Sequence, residues 1–201
     1  MFNWAKIEYD GRIVAARRTD SLPQRRGRSR IDVDGYSIRH GEDPRFVVHN
    51  GRLYCTYTMA VGWSDYKTCI TSVDEAHETY VIPYGKAMEK NWCFFSLDGK
   101  LYAVYALSMS RVLEFSRFKV KHEIDSTPLS WDHGEIRGST PPVMVGDRLT
   151  MFFHSWKYDH WGLPSRKNLC HHVYRIGYCE LDSKPPFTVL NYSKRPLAIP
   201  E

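Results

Sequence analysis

No run among the 201 residues approaches the ~18 consecutive apolar residues that a membrane-spanning helix needs. The opening stretch, MFNWAKIEYDGRIVAARR, places charges where a secretory leader would carry its apolar segment. Both absences predict a soluble, cytoplasmic chain with no membrane partner. Also lacking is any C-x-x-C pair: the five cysteines (Cys55, Cys69, Cys93, Cys170, Cys179) are odd in number and mostly sit in apolar runs. They read as buried thiols of a reducing compartment, not as a disulfide framework. No long segment repeats its apolar residues at helical spacing, which argues against a helical fold. Neither sign of charge dominates: 28 Lys and Arg face 23 Asp and Glu, a net +5. Such a balance allows an anionic partner without requiring one.

The motifs of several chemistries are missing too. RRGRSR (25–30) is the sharpest basic cluster, but it stands between two expected strands without the stacking aromatics of a nucleic-acid site. It reads as a solvated loop, and no nucleic-acid partner is expected. Cys170, His171 and His172 are adjacent, with no second ligand pair at zinc spacing, so no metal is expected. GSTPP and GWSDY do not make a nucleophile elbow, and Cys93 has no evident base beside it.

What the chain does have is aromatic residues, 14% of the total, and a repeat. IEYDGRIVAARR, VVHNGRLYCTYT, FFSLDGKLYAVYA and VMVGDRLTMFFH each hold an apolar strand, a tight turn, a basic residue and a second apolar strand. The turns DG, NG, DG and GD are hairpin signals, because Asn, Asp and Gly tolerate positive φ. The basic residues after them, Arg12, Arg52, Lys100 and Arg148, recur after 40, 48 and 48 residues. Weaker strands fill the second half of each period. About four strands in a period of roughly 40–50 residues is the pattern of a propeller blade. The expected fold is an all-β propeller, one domain over 1–201, with blades near 1–40, 41–86, 87–134 and 135–201.

The repeat also says where chemistry would gather. Nine residues before each basic anchor stand Asn3, Asp43, Asn91 and Ser139, all polar and all at the mouth of an apolar strand. Equivalent positions in successive blades face one axis. A ring is therefore expected from Asp43, Asn91, Lys90, Arg137 and Ser139. Six residues after the anchors come Arg18, Thr58, Ala106 and His154, of which Arg18 and His154 would add charge. Polar residues at such entrances also cap strands, and Asp-Pro starts turns in its own right. The coincidence of four at one phase is what singles these out.

GEDPRFVVHNGRLYCTYT resembles the G-x-E-D-P-R segment of glycoside hydrolase family 130, whose members are five-bladed β-propellers. FNWAKIEYDGRIVAARR, EKNWCFFSLDGKLYAVY, RGSTPPVMVGDRLTMFFH and YRIGYCELD are similar to other family segments, in order along the chain. The resemblance implies a β-mannoside phosphorylase or β-mannosidase that acts with inversion. It implies Asp43 as general acid. Further implied contacts to sugar or phosphate are Asn3, Arg18, Glu42, Arg45, Lys90, Asn91, Arg137, His154, Tyr174 and Arg175. No cofactor is implied, and inorganic phosphate is the co-substrate in the phosphorylases. A hydrolase needs a second carboxylate to activate water, whereas a phosphorylase needs a cationic cradle. The expected ring is richer in bases than in acids, which leans towards an anionic co-substrate. Glu42 is open to binding sugar hydroxyls, and Arg45 to orienting Asp43 or pairing with Glu42.

Two features depart from the family pattern. Only four hairpin repeats are visible, and RPLAIPE stands where a fifth blade would begin. The readings this leaves open are a natural short form or fragment, a propeller closed by four blades, and a homo-oligomer that completes or covers an open sheet edge. Secondly, WKYDHWGLPSRKNLCHH (156–172) reads as an insertion, either a lid or sugar platform or a plain surface loop. The partner expected is an oligosaccharide or other glycoside. The rival reading is a non-catalytic carbohydrate-binding or scaffold propeller.

Overall fold

A computed structural model describes residues 4–20, 29–62, 65–74, 77–85, 90–109, 111–159 and 171–197. Every regular element among them is a strand. Four sheets follow one another along the chain. The first holds β1 (Trp4–Tyr9), β2 (Arg12–Asp20), β3 (Ser29–Val33) and β4 (Tyr36–Arg39). The second holds β5 (Gly41–His49), β6 (Arg52–Ala60), β7 (Tyr66–Ser72) and β8 (Thr79–Val81). The third holds β9 (Cys93–Leu97), β10 (Lys100–Ala106), β11 (Arg111–Ser116) and β12 (Lys119–Asp125). In each of these three, spatial order is chain order.

The fourth sheet differs in one respect. Its first strand is split into β13 (Glu135–Gly138) and β14 (Val143–Val145), which both pair with β15 (Arg148–Asp159). β16 (His171–Asp182) and β17 (Val189–Tyr192) complete it. The stretch read as an insertion at 156–172 is shorter than expected. Its flanks continue β15 and β16, and 160–170 lie outside the described residues. No helix among the described residues is long and apolar enough to cross a membrane.

The chain forms two compact units, 1–105 with 113–123, and 106–112 with 124–201. In the first unit the second sheet is buried on both faces, and strand alternation explains how. Phe46, Leu53, Cys55, Tyr57 and Cys69 point one way and pack on Val14, Ala16, Ile31 and Val33 of the first sheet. Val47, Tyr54 and Ile70, one residue out of phase, point the other way onto Phe94, Leu101, Leu113 and Phe115 of the third. This accounts for the near-continuous burial of β6 and β7, since a strand covered on both faces does not alternate buried with exposed residues. Burying a side chain such as Phe46 contributes roughly 2 kcal/mol. β5 also lies beside both β1 and β9, so the first strands of three successive sheets are neighbours.

The turns carry the expected chemistry. Asp10-Gly11, Asn50-Gly51 and Asp98-Gly99 each take positive φ at both residues, as a two-residue hairpin of matching twist requires. Arg117-Phe118 does the same between β11 and β12, with φ of 47° and 60°, although neither residue favours that region. The four described cysteines are buried free thiols. Burial pushes the Cys55 thiol up to about 12 and that of Cys69 to about 11, and raises Cys93 as well. They serve packing; Cys170 lies outside the described residues.

The first strand is interrupted at one phase of the repeat. In the second sheet the register shifts between Glu42 and Arg45, and Asp43 sits in the left-handed region at φ 54°. In the third, Asn91 takes φ 65° two residues before β9 begins. In the fourth, the split between β13 and β14 contains Ser139, whose amide donates to the Phe152 carbonyl at 3.2 Å. Asp and Asn are the non-glycine residues that best tolerate the left-handed conformation. Yet a residue before proline is normally held extended, and Asp43 precedes Pro44. Arg45 supports the irregular turn: its guanidinium donates to the Asp43 carbonyl and to the Asn91 side chain, both at 3.1 Å.

In the second unit, Phe153 and Gly177 are register partners on β15 and β16. The phenyl ring lies across the glycine, and Trp131 meets it edge-on at 4.9 Å. The glycine of the YRIG segment thus has a packing reason: a Cβ there would lie 2.4 Å from Phe153 Cζ.

Two outcomes follow from this packing. Gly177→Ala will destabilise the chain by about 1–3 kcal/mol, because Phe153 is fully buried and cannot swing away; urea unfolding measures it. Arg45→Met will cost about 2 kcal/mol by the same assay, since it strips charged donors from two partly buried acceptors. Arg45→Lys will recover only part of that, because a lysine lacks the fork that reaches both.

Candidate functional site

The strand interruption brings charged residues together in the first unit. On a regular strand Glu42 and Asp43 would point to opposite faces. The left-handed turn at Asp43 instead sets both carboxylates against one guanidinium: Arg18 lies 3.6 Å from Glu42 Oε1 and 3.7 Å from Asp43 Oδ1. Lys90 Nζ lies 3.0 Å from the other Glu42 oxygen, Oε2. Glu42 is buried at 8% exposure, so its charge is held by two cations from two other elements. Arg18 comes from β2 of the first sheet, Glu42, Asp43 and Arg45 from β5 of the second, and Lys90 and Asn91 from the approach to β9 of the third.

Six sequence-predicted residues therefore meet: Arg18, Glu42, Asp43, Arg45, Lys90 and Asn91. Of the two roles open to Arg45, the structure favours orienting the Asp43 turn, by the two hydrogen bonds given above. Tyr66, at the start of β7, was not singled out by the sequence reading. Its ring lies under Lys90, with Nζ 3.8 Å from the centroid. No repeat phase marks Tyr66, because it belongs to the third strand of its sheet and not to the first. Asn3 lies outside the described residues.

The other predicted residues lie in the second unit. Ser139 Oγ and His154 Nδ1 share a hydrogen bond of 2.8 Å. Arg137 is the register partner of His154, and Tyr174 is that of Trp156. These residues share one face of the fourth sheet, because directly paired residues project to the same side. Arg137 also binds Glu135 at 3.0 Å and lies over the Trp156 ring at 5.4 Å. The rings of His154 and Tyr174 are 6.0 Å apart.

Arg175 does not join this group. It pairs in register with Ser155, one residue out of phase, and so projects to the opposite face. There its Nη1 donates to the His133 carbonyl at 3.4 Å. Ser155 donates to the same carbonyl at 2.9 Å and accepts from Trp131 Nε1 at 3.0 Å. Arg175 is thus part of the support of the 131–134 loop.

Chemically, the cluster of the first unit combines cations with two adjacent carboxyl groups, the set of groups from which an anion site or an acid catalyst can be built. Arg18 and Lys90 stand against the two carboxylates, and Arg45 holds the Asp43 carbonyl and the Asn91 amide oxygen beside them. Among the described residues, no group of three or more His, Cys, Asp or Glu side chains is placed to hold a metal ion.

No protein-family model matches the sequence, and no curated protein matches it. Solved structures do match. A Parabacteroides distasonis protein classed provisionally as a glycoside hydrolase superposes with a TM-score of 0.72 at 13% identity, over 100% of this chain and 74% of its own. A second match was solved in work on the family 130 mannoside phosphorylases and the hydrolases among them that target β-1,2-mannosidic linkages in Candida mannan. It gives 0.70 at 14% identity, over 100% of this chain and 72% of its own. The β-1,2-mannobiose phosphorylase of Listeria innocua gives 0.61 at 14% identity, over 98% and 76%. At such identities the likeness is one of fold. The chain is an all-β protein with the glycosidase type of β-propeller fold, of which four blades are described; the repeat led one to expect the propeller and the resemblance its type.

Proposed function

We propose that the chain is a carbohydrate-active enzyme that cleaves a β-mannoside or related glycoside with inversion, by phosphorolysis. The observation that carries this reading is the cradle around Asp43, in which Arg18 and Lys90 meet two adjacent carboxylates and Arg45 holds the Asp43 carbonyl. Asp43 is the general acid and gives its proton to the leaving-group oxygen as the glycosidic C–O bond breaks. An oxygen of inorganic phosphate attacks the anomeric carbon from the opposite face, forming the new C–O bond of an α-glycosyl phosphate. Arg18 and Lys90 hold anionic oxygens, and charge-assisted hydrogen bonds of this kind are the strong ones. Arg45 and Asn91 keep the Asp43 turn in place. Arg137 and His154 have the chemistry to bind an anion or a sugar hydroxyl within their own unit. The solved structures of like fold include mannoside phosphorylases, which supports the substrate class.

A second reading is a non-catalytic carbohydrate-binding module. It is favoured by the contact between Arg18 and Asp43, which engages both groups before any ligand arrives.

A panel of β-mannosides, assayed with and without inorganic phosphate for release of a sugar phosphate, separates the two. Turnover that requires phosphate is expected. Asp43→Asn should lower it by about 10²–10⁴-fold while leaving the melting temperature nearly unchanged, because Asn tolerates the same left-handed φ. Sugar binding by calorimetry without turnover of any glycoside would establish the second reading and overturn the first.

A further inference from the structure

The structure assigns Tyr66 as a positioning residue for Lys90. The three basic residues of the cradle are not equivalent in stiffness. Arg18 and Arg45 end in planar forks whose geometry is built in, whereas Lys90 ends in a point charge on a four-carbon stem with freely turning donors. A lysine held by one carboxylate can still swing about that contact. Lys90 has two supports: Glu42 Oε2 at 3.0 Å and the face of Tyr66, 3.8 Å from ring centroid to Nζ. A cation over an aromatic face is held by the ring's negative surface, and the interaction strengthens where water is excluded. Water is excluded here on the ring's side, for Tyr66 is 6% exposed.

The support comes from a separate element. Tyr66 pairs with Ala60 at the start of β7, Glu42 lies on β5, and Lys90 precedes β9. Two contacts from two strands fix a nitrogen that one would leave mobile. With the ring closing one side and Glu42 taking one N–H, the directions left to the other donors are narrowed. Tyr66 thus turns a flexible lysine into a directed donor without touching the ligand. The inference rests on the reading of this cluster as an anion site, but its first test does not.

That test is the acylation rate of Lys90 in the folded, full chain, followed by peptide mass spectrometry with an amine-reactive ester. Tyr66→Phe keeps the ring face and Tyr66→Leu removes it; Tyr66→Met is the substitute if the leucine variant does not fold. Removing the ring should speed acylation of Lys90 by about tenfold, with Lys100 and Lys121 as unchanged controls. Tyr66→Phe should stay within about twofold of the parent chain. Equal rates at Lys90 in the parent chain and the leucine or methionine variant would overturn the assignment.

The second arm uses inorganic phosphate and the glycoside on which turnover is found. Loss of the ring should raise KM for phosphate about tenfold with kcat nearly kept, and Tyr66→Phe should restore it. A fall in kcat with KM unchanged would overturn the assignment. If no glycoside is turned over, the reading as an enzyme fails by itself and the acylation arm still decides on Tyr66.

Discussion

The two hydrogen bonds of Arg45 hold the architecture of the site together. One guanidinium joins the Asp43 carbonyl, within an interrupted strand of the second sheet, to the side chain of Asn91, at the same phase of the third. Both joined residues are in the left-handed region, which an L-residue enters only at a cost of about 1 kcal/mol or more. The arginine therefore offsets strain at two points at once. Without it, nothing in the chain's local preferences would keep a residue before proline at φ 54°. The same conformation sets the carboxylates of Glu42 and Asp43 against a single guanidinium, so the strain and the chemistry have one cause.

That strain is tolerable because of where it sits. Further along, β5 to β7 are buried on both faces and pair in regular register, so the second sheet is held by its core independently of the irregular end. Irregular backbone at the end of a well-packed strand can be specified by a few polar contacts; in the middle of the core it would leave buried amides without partners. The split first strand of the fourth sheet follows the same logic, with Ser139 and Thr140 amides turned to the Phe152 carbonyl and Thr140 Oγ1 accepting from the Phe152 amide.

Much of this was legible because the repeat is a property of residue order. The turns with Asn, Asp and Gly marked four hairpins, and the phase of the polar residues marked Asp43, Asn91 and Ser139. Alternation, read strand by strand, would also have sent Tyr174 and Arg175 to opposite faces; the resemblance to a known family grouped them as neighbours in sequence instead. Arg117-Phe118 was not legible, because a positive-φ turn without Gly or Asn is held by packing, here of Phe118 on Tyr54 and Tyr80, and packing has no local signature. Tyr66 escaped for a related reason. Its meaning depends on a lysine 24 positions away reaching its ring, which neither spacing nor motif encodes.

Under the proposed reading, the choice between phosphate and water as nucleophile turns on Glu42. An inverting hydrolase needs its base across the sugar from its acid, with the two carboxyl groups ~6.5–9.5 Å apart and a water between base and anomeric carbon. Glu42 is poorly placed for that role. It is adjacent to Asp43 in the chain and is reached by the same guanidinium, Arg18. Each of its oxygens also faces a cation, Arg18 at one and Lys90 at the other, so both are already engaged. A buried carboxylate clamped in this way is better suited to holding its cations in place. Those cations are what a phosphate nucleophile requires, since phosphate brings its own negative oxygen and needs no base to activate it. The residue that most resembles a second catalytic acid is therefore the one that holds the cations of the cradle in place.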